Sequence, residues 1–204
     1  MFTGLIETTG EVLACERETL IVGTPTLAGQ LNPEQSIAVD GVCLTICEVD
    51  AKGSVFKTEL SPETRRRTTL GRLSIGQRVN LERPLLANGQ LGGHFVLGHV
   101  DTVGQLVESI PEGRFVRCIF AVAPEFDPLL IEKGSVAVDG ISLTCFDINK
   151  GRFAVAIIPK TLEIATLGAK GPGSPVNVEF DVLGKYVLKA MENLRANLMR
   201  RMGR

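Results

Sequence analysis

The sequence predicts an all-β protein of two tandem six-stranded closed antiparallel β-barrels followed by a C-terminal α-helix. Three observations carry that expectation. The chain repeats itself, each repeat is made of short strand-like segments separated by turn residues, and the stretch from Asp181 to Met202 switches to a helical period.

The repeat is explicit. Ser36–Thr45 (SIAVDGVCLT) returns as Ser135–Thr144 (SVAVDGISLT), identical at seven of ten positions with an offset of 99. SPETRRRTTLG ending at Gly71 returns as IPKTLEIATLG ending at Gly168, VNLE at Val79–Glu82 as VNVE at Val176–Glu179, and GLIETTGEV at Gly4–Val12 as GHVDTVGQL at Gly98–Leu106. The blocks keep their order, so the 204 residues divide into segments 1–90, 91–182 and a C-terminal 183–204. A duplicated domain inherits the same cleft twice, which suits two copies of one ligand or one ligand across a pseudo-twofold axis.

Within each repeat, EVLACE, TLIVGT, SIAVDGVCLTICEVD, SVFKTEL and RVNLER read as short strands separated by Gly or Pro. About six of them in so short a domain favour closure into a barrel, which removes exposed edges. Asp40-Gly41 and Asp139-Gly140 interrupt the alternation with the chemistry of a sharp turn. Short helical turns are expected at Ala123–Gly134 and, more weakly, at Thr26–Pro33. In the terminal helix Leu183, Val187, Met191, Leu194 and Leu198 fall three and four apart, an apolar stripe that could meet copies of itself or pack back on its own barrel.

Composition narrows the function. With 22 basic and 23 acidic residues the chain lacks the basic excess of a nucleic-acid surface, and Arg65, Arg66 and Arg67 read as a solvated loop. No apolar run has the length of a membrane span, and MFTGLIETTG lacks the basic start and apolar middle of a signal peptide, so no membrane partner and a cytoplasmic location are expected. Cys15, Cys43, Cys47, Cys118 and Cys145 are odd in number and lack paired CxxC spacing, which points to reduced thiols rather than a disulfide framework or zinc site. Cys43 and Cys47 should share a strand face.

Comparing the halves isolates candidate chemistry. The only histidines, His94 and His99, stand where the second repeat begins, opposite a first-half segment with none; their spacing argues against a shared metal, and no metal ligation is expected. A lone histidine is otherwise an ordinary polar residue. Cys43 aligns with Ser142, Glu34 with Lys133, and Pro84 with Asp181. A thiol or lysine there could act as nucleophile, acid or base, though a small buried cysteine is the plainer reading. Thr45, Thr144 and the Asp-Gly bends occur in both halves and could hydrogen-bond the polar edge of a flat heterocycle. No glycine-rich nucleotide motif is present.

Together, MFTGLIE, the paired DG[VI][CS]LT blocks, GGHFVLGHVD, IPKTL and NVEFD before a terminal helix make the whole chain resemble the riboflavin synthase family. The resemblance implies two lumazine-holding barrels, a homotrimer joined through the terminal helices, and a working site between the first barrel of one subunit and the second of its neighbour. It implies dismutation of two molecules of 6,7-dimethyl-8-ribityllumazine, with transfer of a four-carbon unit to give riboflavin and 5-amino-6-(D-ribitylamino)uracil. No cofactor is implied, because the acidic 7-methyl group supplies the carbanion. Some relatives associate with lumazine synthase, a candidate partner.

The residues follow from the same resemblance. The first pocket would use Gly4, Leu5 and Ile6, then Cys43, Leu44 and Thr45, then Glu59, Leu60, Ser61, Pro62, Glu63 and Thr64. The second would use Gly98, His99 and Val100, then Ser142, Leu143 and Thr144, then Ala156, Ile157, Ile158, Pro159, Lys160 and Thr161, with Lys133 reaching in from the partner subunit. Phe2, Ser36, Cys43, His99 and Asp181, with His94 nearby, match catalytic positions; His99 and Asp181 are expected to assist proton transfers, and Ser36 or a water to add to the donor ring. The rival is a non-catalytic lumazine or flavin carrier on the same barrels, as in bioluminescence antenna proteins. A flavin reductase would need a nicotinamide domain for which the chain has no room.

Overall fold

The alternating segments become strands in both halves of the computed structural model, which describes residues 1–202. The first half contains β1 (Thr8–Glu16), β2 (Thr19–Gly23), β3 (Ser36–Val39), β4 (Val42–Val49), β5 (Val55–Glu59), a helix α1 (Pro62–Arg67) and β6 (Arg78–Glu82). The second contains β7 (Thr102–Glu112), β8 (Phe115–Ala121), β9 (Ser135–Val138), β10 (Ile141–Asn149), β11 (Arg152–Ile157), α2 (Pro159–Ile164) and β12 (Pro175–Phe180). The first set closes in the order β1-β2-β5-β4-β3-β6, and the second, β10-β11-β8-β7-β12-β9, is the same ring entered at another strand. Even the irregularities repeat: a bulge between Val12 and Ala14 in β1 has its twin between Leu106 and Glu108 in β7, bending each long first strand around its barrel.

The Asp-Gly pairs make the turns their chemistry implies. Asp40 and Gly41 take φ of +43° and +75°, Asp139 and Gly140 +46° and +79°, the left-handed pair of a type I′ hairpin turn. Inward-facing Val12, Leu20, Val22, Ile37, Phe56 and Leu81 fill the first barrel; Leu106, Phe120, Val136, Phe153 and Val178 fill the second. Filled interiors leave no lumen for a ligand, so any binding site lies outside the barrels.

The bends are not available to a heterocycle, contrary to the sequence expectation. They meet each other where the barrels touch: a Cβ on Gly41 would lie 2.5 Å from the Gly140 nitrogen. Two asparagines complete a reciprocal seam. Asn80 Nδ2 donates to Asp139 O (2.9 Å) while its Oδ1 accepts from Thr166 N (2.7 Å); Asn177 Nδ2 donates to Asp40 O (2.8 Å) while its Oδ1 accepts from Thr69 N (2.8 Å). Asp40 and Asp139 accept from the amides of Asn80 and Asn177. Burial and the charge of Asp139 push Asp40 up to about 8. Burial raises Asp139 too, but it has a cation to oppose this, the ammonium of Lys170.

Helical turns depart from expectation in detail. Ala123–Gly134 contains a 3-10 helix at Pro124–Leu129, and Thr26–Pro33 only its 3-10 counterpart at Pro25–Leu27. Arg65–Arg67 belong to α1 rather than a loop: Ser61 Oγ accepts from Thr64 N at 3.0 Å, Pro62 supplies the first-turn φ, and Glu63 pairs with Arg66 and Arg67. One and a half turns is too short to register as a period in sequence.

The last element is α3 (Val182–Met202). Its stripe is turned outward, with Leu183, Val187, Met191, Leu194 and Leu198 between 50% and 62% exposed, so packing back on its own barrel is not what happens. Gly203 and Arg204, the end of the expected third segment, lie outside the described residues. No helix among the described residues is long and apolar enough to cross a membrane.

Candidate functional site

Two clefts form on the outer walls of the barrels, and each is completed by a segment that arrives from the other end of the pseudo-twofold. On the first barrel, β4 turns Cys43, Thr45 and Cys47 away from the core, as even spacing requires, and they line a cavity of about 580 Å³ with Glu18, Leu44, Glu59, Leu60, Ser61, Pro62 and Thr64. Cys43 and Thr64 also line an adjoining cavity of about 410 Å³, whose far wall is Gly98, His99, Val100 and Asp101, and whose near wall includes Glu63 and Arg67. Cys43 N donates to Gly98 O at 2.9 Å.

The second barrel repeats the arrangement with other side chains. Ser142 N donates to Gly4 O at 2.8 Å, and Gly4, Leu5 and Ile6 line a cavity of about 220 Å³ with Ile141, Ser142, Ile158, Lys160, Thr161 and Ile164. The pocket assignments implied by the resemblance are thus exchanged for these triplets: Gly4–Ile6 face the second barrel, and Gly98–Val100 the first. The physical reason is the bridge between Phe2 and Val96, where equivalent segments of the two repeats pair antiparallel and each runs on to its counterpart's barrel.

The geometry at Gly4 and Gly98 is tight. Both have φ of +79°, and a Cβ there would lie 2.6 Å from the Ser142 Cβ or 2.5 Å from the Cys43 Cβ, so only glycine lets the segments approach. Carboxylates hold them from behind. Glu82 accepts from Thr3 N (2.6 Å), Thr3 Oγ1 (2.8 Å) and Gly4 N (3.0 Å), and Glu179 from Leu97 N (2.7 Å) and Gly98 N (2.9 Å). Neither glutamate was singled out from sequence; the signal was the shared VN[LV]E block, which makes them the same residue in both halves.

His94 and His99 go to different clefts. His99 is exposed on the wall of the first. His94 is 7% exposed beside the second, its Nδ1 hydrogen-bonded to Ser142 Oγ at 2.7 Å and its Nε2 buried without a partner among the described residues. Burial pushes its imidazole below the usual histidine value, against an upward pull from the Asp181 charge. The ring reaches the cleft only through Ser142, so any proton it accepts or delivers passes by way of that hydroxyl. Asp181 itself caps α3, accepting from Leu183 N at 3.0 Å.

Other candidates stand apart from the cavities. Phe2 is fully buried between the barrels with Ala38, Val96 and Ala137, touching the first cleft only through Cys43, which packs on that cluster. Ser36 begins β3 opposite Thr45. Leu143 and Ile157 belong to the second barrel's core, Thr144 and Ala156 are exposed outside its cavity, and Pro159 opens α2. Lys133 points outward over the Phe146 ring, 4.6 Å from its centroid. A roomier cavity of about 700 Å³ opens between the barrels beside Arg72, Arg78 and Lys170, and none of the candidate residues reaches it. Among the described residues no His, Cys, Asp and Glu cluster has the geometry to hold a metal.

Comparison with known proteins places this architecture. The lumazine binding domain matches twice, at residues 3–84 and 97–181, one copy to each barrel. Riboflavin synthase of Mycobacterium tuberculosis H37Rv is 39% identical over 202 residues, spanning 95% of this chain and 99% of that protein. Those of Actinobacillus pleuropneumoniae (38%, 92% and 88%) and Bacillus subtilis (35%, 97% and 93%) are similarly close. Among solved structures, LumP complexed with riboflavin superimposes with a TM-score of 0.80 over 88% of this chain and 99% of that one, at 20% identity, and LumP complexed with 6,7-dimethyl-8-(1'-D-ribityl) lumazine with 0.78 at 19%. That likeness concerns the fold; whole-length identity to the enzymes goes further, and the chain belongs to the riboflavin synthase family.

Proposed function

We propose that the protein makes riboflavin by dismutation of two molecules of 6,7-dimethyl-8-ribityllumazine. One molecule gives up a four-carbon unit and leaves as 5-amino-6-(D-ribitylamino)uracil; the other receives it and becomes riboflavin, with atoms and electrons balanced between the two. The observation that carries this reading is the pair of equivalent clefts on one chain, one furnished with Cys43 and His99, the other with Ser142 and His94. Two similar clefts suit two identical substrates, and their different side chains suit two different fates.

In the first cleft the Cys43 thiol and the His99 imidazole flank the bound ring, and Thr64 and Ser61 offer hydroxyls to its polar edge. In the second, Ser142 Oγ faces the substrate, and His94, hydrogen-bonded to that hydroxyl through Nδ1, takes up or returns a proton through it. Asp181 favours the charged imidazole as the proton arrives. Phe2 acts by holding Cys43 in place, and Ser36 by supporting Thr45 across the β3–β4 pair. The two clefts of one chain open on different barrels, so face-to-face substrates require the first barrel of one subunit to meet the second of another; orientation then replaces a bimolecular encounter. The exposed stripe of α3 supports a homotrimer as the assembly that brings them together, with Lys133 as an outward residue able to reach a neighbour. The reading places the enzyme in the cytoplasm, with lumazine synthase as a candidate partner.

The deciding experiment is to incubate the purified chain with 6,7-dimethyl-8-ribityllumazine alone and follow riboflavin absorbance. The expected outcome is one riboflavin for every two lumazines consumed. The carrier reading, favoured by the fold likeness to LumP, predicts tight binding with no riboflavin.

A further inference from the structure

The segment that brings His99 to the first barrel is held from behind by the second barrel. Glu179 lies on β12, the last strand of the second barrel, 2% exposed, and its carboxylate accepts from two consecutive amides, Leu97 N at 2.7 Å and Gly98 N at 2.9 Å. The other face of Gly98 is pinned by Cys43, whose amide donates to Gly98 O and whose Cβ leaves no room for a side chain. The backbone entering His99 is therefore clamped between a carboxylate and the strand that carries Cys43. Just beyond His99, Asp101 accepts from Phe180 N at 2.9 Å and pairs with Lys185 Nζ at 2.6 Å. Lys185 stands on the first turn of α3, and its charge acts on Glu179 as well. The first repeat has the clamp, at Glu82, and a Glu7–Arg83 pair at 2.7 Å in place of Asp101–Lys185, but no helix at its end.

We infer that Glu179, Asp101 and Lys185 form a positioning unit that sets His99 over Cys43 and ties that setting to the C-terminal helix, so that the packing of α3 is felt in the first cleft. Two amides facing one carboxylate need both of its oxygens. Glutamine keeps the shape but offers a single oxygen and turns an NH2 toward the second amide, which loses its buried partner. The segment then has reason to lift from Cys43. Loss of the Lys185 charge weakens the same unit from the helix side while leaving the clamp in place.

The effect on turnover rests on the proposed function, whereas the effect on geometry does not, and the test separates them. In the full chain, alkylation of Cys43 by iodoacetamide, located by fragmentation mass spectrometry, and steady-state riboflavin formation are compared for E179Q, K185M, K185R and E82Q. The expected result is faster Cys43 alkylation in E179Q and, less so, in K185M, with K185R restored and E82Q unchanged in this readout. In E179Q kcat falls about tenfold or more while KM moves less than about threefold, because misplacing one group by an ångström costs turnover more than binding. Cys43 alkylation and kcat unchanged in both E179Q and K185M overturns the inference, as does a lowered melting temperature with kcat per folded molecule intact. If E179Q does not fold, K185M against K185R decides. If the parent binds lumazine without making riboflavin, the proposed function fails, and the alkylation series still stands or falls alone.

Discussion

The two barrels are the same machine at their seam and different machines at their clefts. At the seam residues recur as twins: Asn80 with Asn177, Asp40 with Asp139, Gly41 with Gly140, Glu82 with Glu179. At the clefts almost nothing is shared except backbone geometry. The first is large and polar, with Cys43, Thr64, Arg67 and His99; the second is small and mostly apolar, with a run of isoleucines and Ser142, behind which stands His94. At the seam each half's partner is the other half, so one substitution breaks a reciprocal pair. A cleft answers to a ligand, and two ligands with different fates permit two linings. One break in seam symmetry is electrostatic: Lys170 pairs directly with Asp139 and reaches Asp40 only through its charge, while its counterpart, Leu73, offers Asp40 no cation.

The comparison can be broken at several points. The largest effect is expected at the clefts: His99→Ala should lower riboflavin formation by about 100-fold, the scale of a lost acid-base group, in steady-state assays with the melting temperature retained. His94→Ala should also cut turnover, and parity between the two would mean that the clefts do not differ in role. Next come the seam residues. Lys170→Met leaves the buried Asp139 carboxylate without its cation and should cost about 3–5 kcal/mol in urea unfolding. Asn80→Ala and Asn177→Ala should each cost about 3 kcal/mol, since each strands two buried backbone groups, and equal values would support the reciprocity of the seam.

A smaller effect depends on pH. The folded Asp40 titrates at about 8 against 3.8 unfolded, so the native state holds the extra proton. Its contribution to stability is full below about 3.8 and is lost as pH rises through 8. Asp40→Asn keeps the oxygen that accepts from Asn80 N and removes the titration; it should flatten the decline in stability between about pH 4 and 8, and an unchanged pH profile would remove Asp40 as its source. Least perturbing to the fold is the helix stripe. Leu194→Glu on α3 should leave the melting of the barrels within about 0.5 kcal/mol, as expected for an exposed site. If the proposed trimer forms through α3, the substitution should lower the sedimenting mass toward monomer, with activity falling alongside.

How much was readable differs by region. The barrels, their strand count, the Asp-Gly turns and the terminal helix all rest on local patterns: period-two alternation, turn chemistry and an apolar stripe each act over a few residues and announce themselves in sequence. The short helices α1 and α2 were missed because a turn and a half carries no period. Gly4–Ile6 lie beside the second barrel and Gly98–Val100 beside the first, the reverse of the pairing expected from sequence. Glu82 and Glu179, holding those segments, stood in a quoted repeat without a role.

By itself, then, the sequence determined two equal barrels, their common ancestry and the side chains that distinguish them, because duplication and strand periodicity are written along the chain. Only the tertiary structure decided that Phe2 pairs with Val96 and that each leading segment crosses to its counterpart's barrel. That crossing depends on two residues far apart in sequence meeting at a pseudo-twofold axis and on carboxylates waiting behind them. No local pattern encodes where an extended segment without a turn of its own comes to rest; it rests where buried acceptors and a glycine-wide gap receive it.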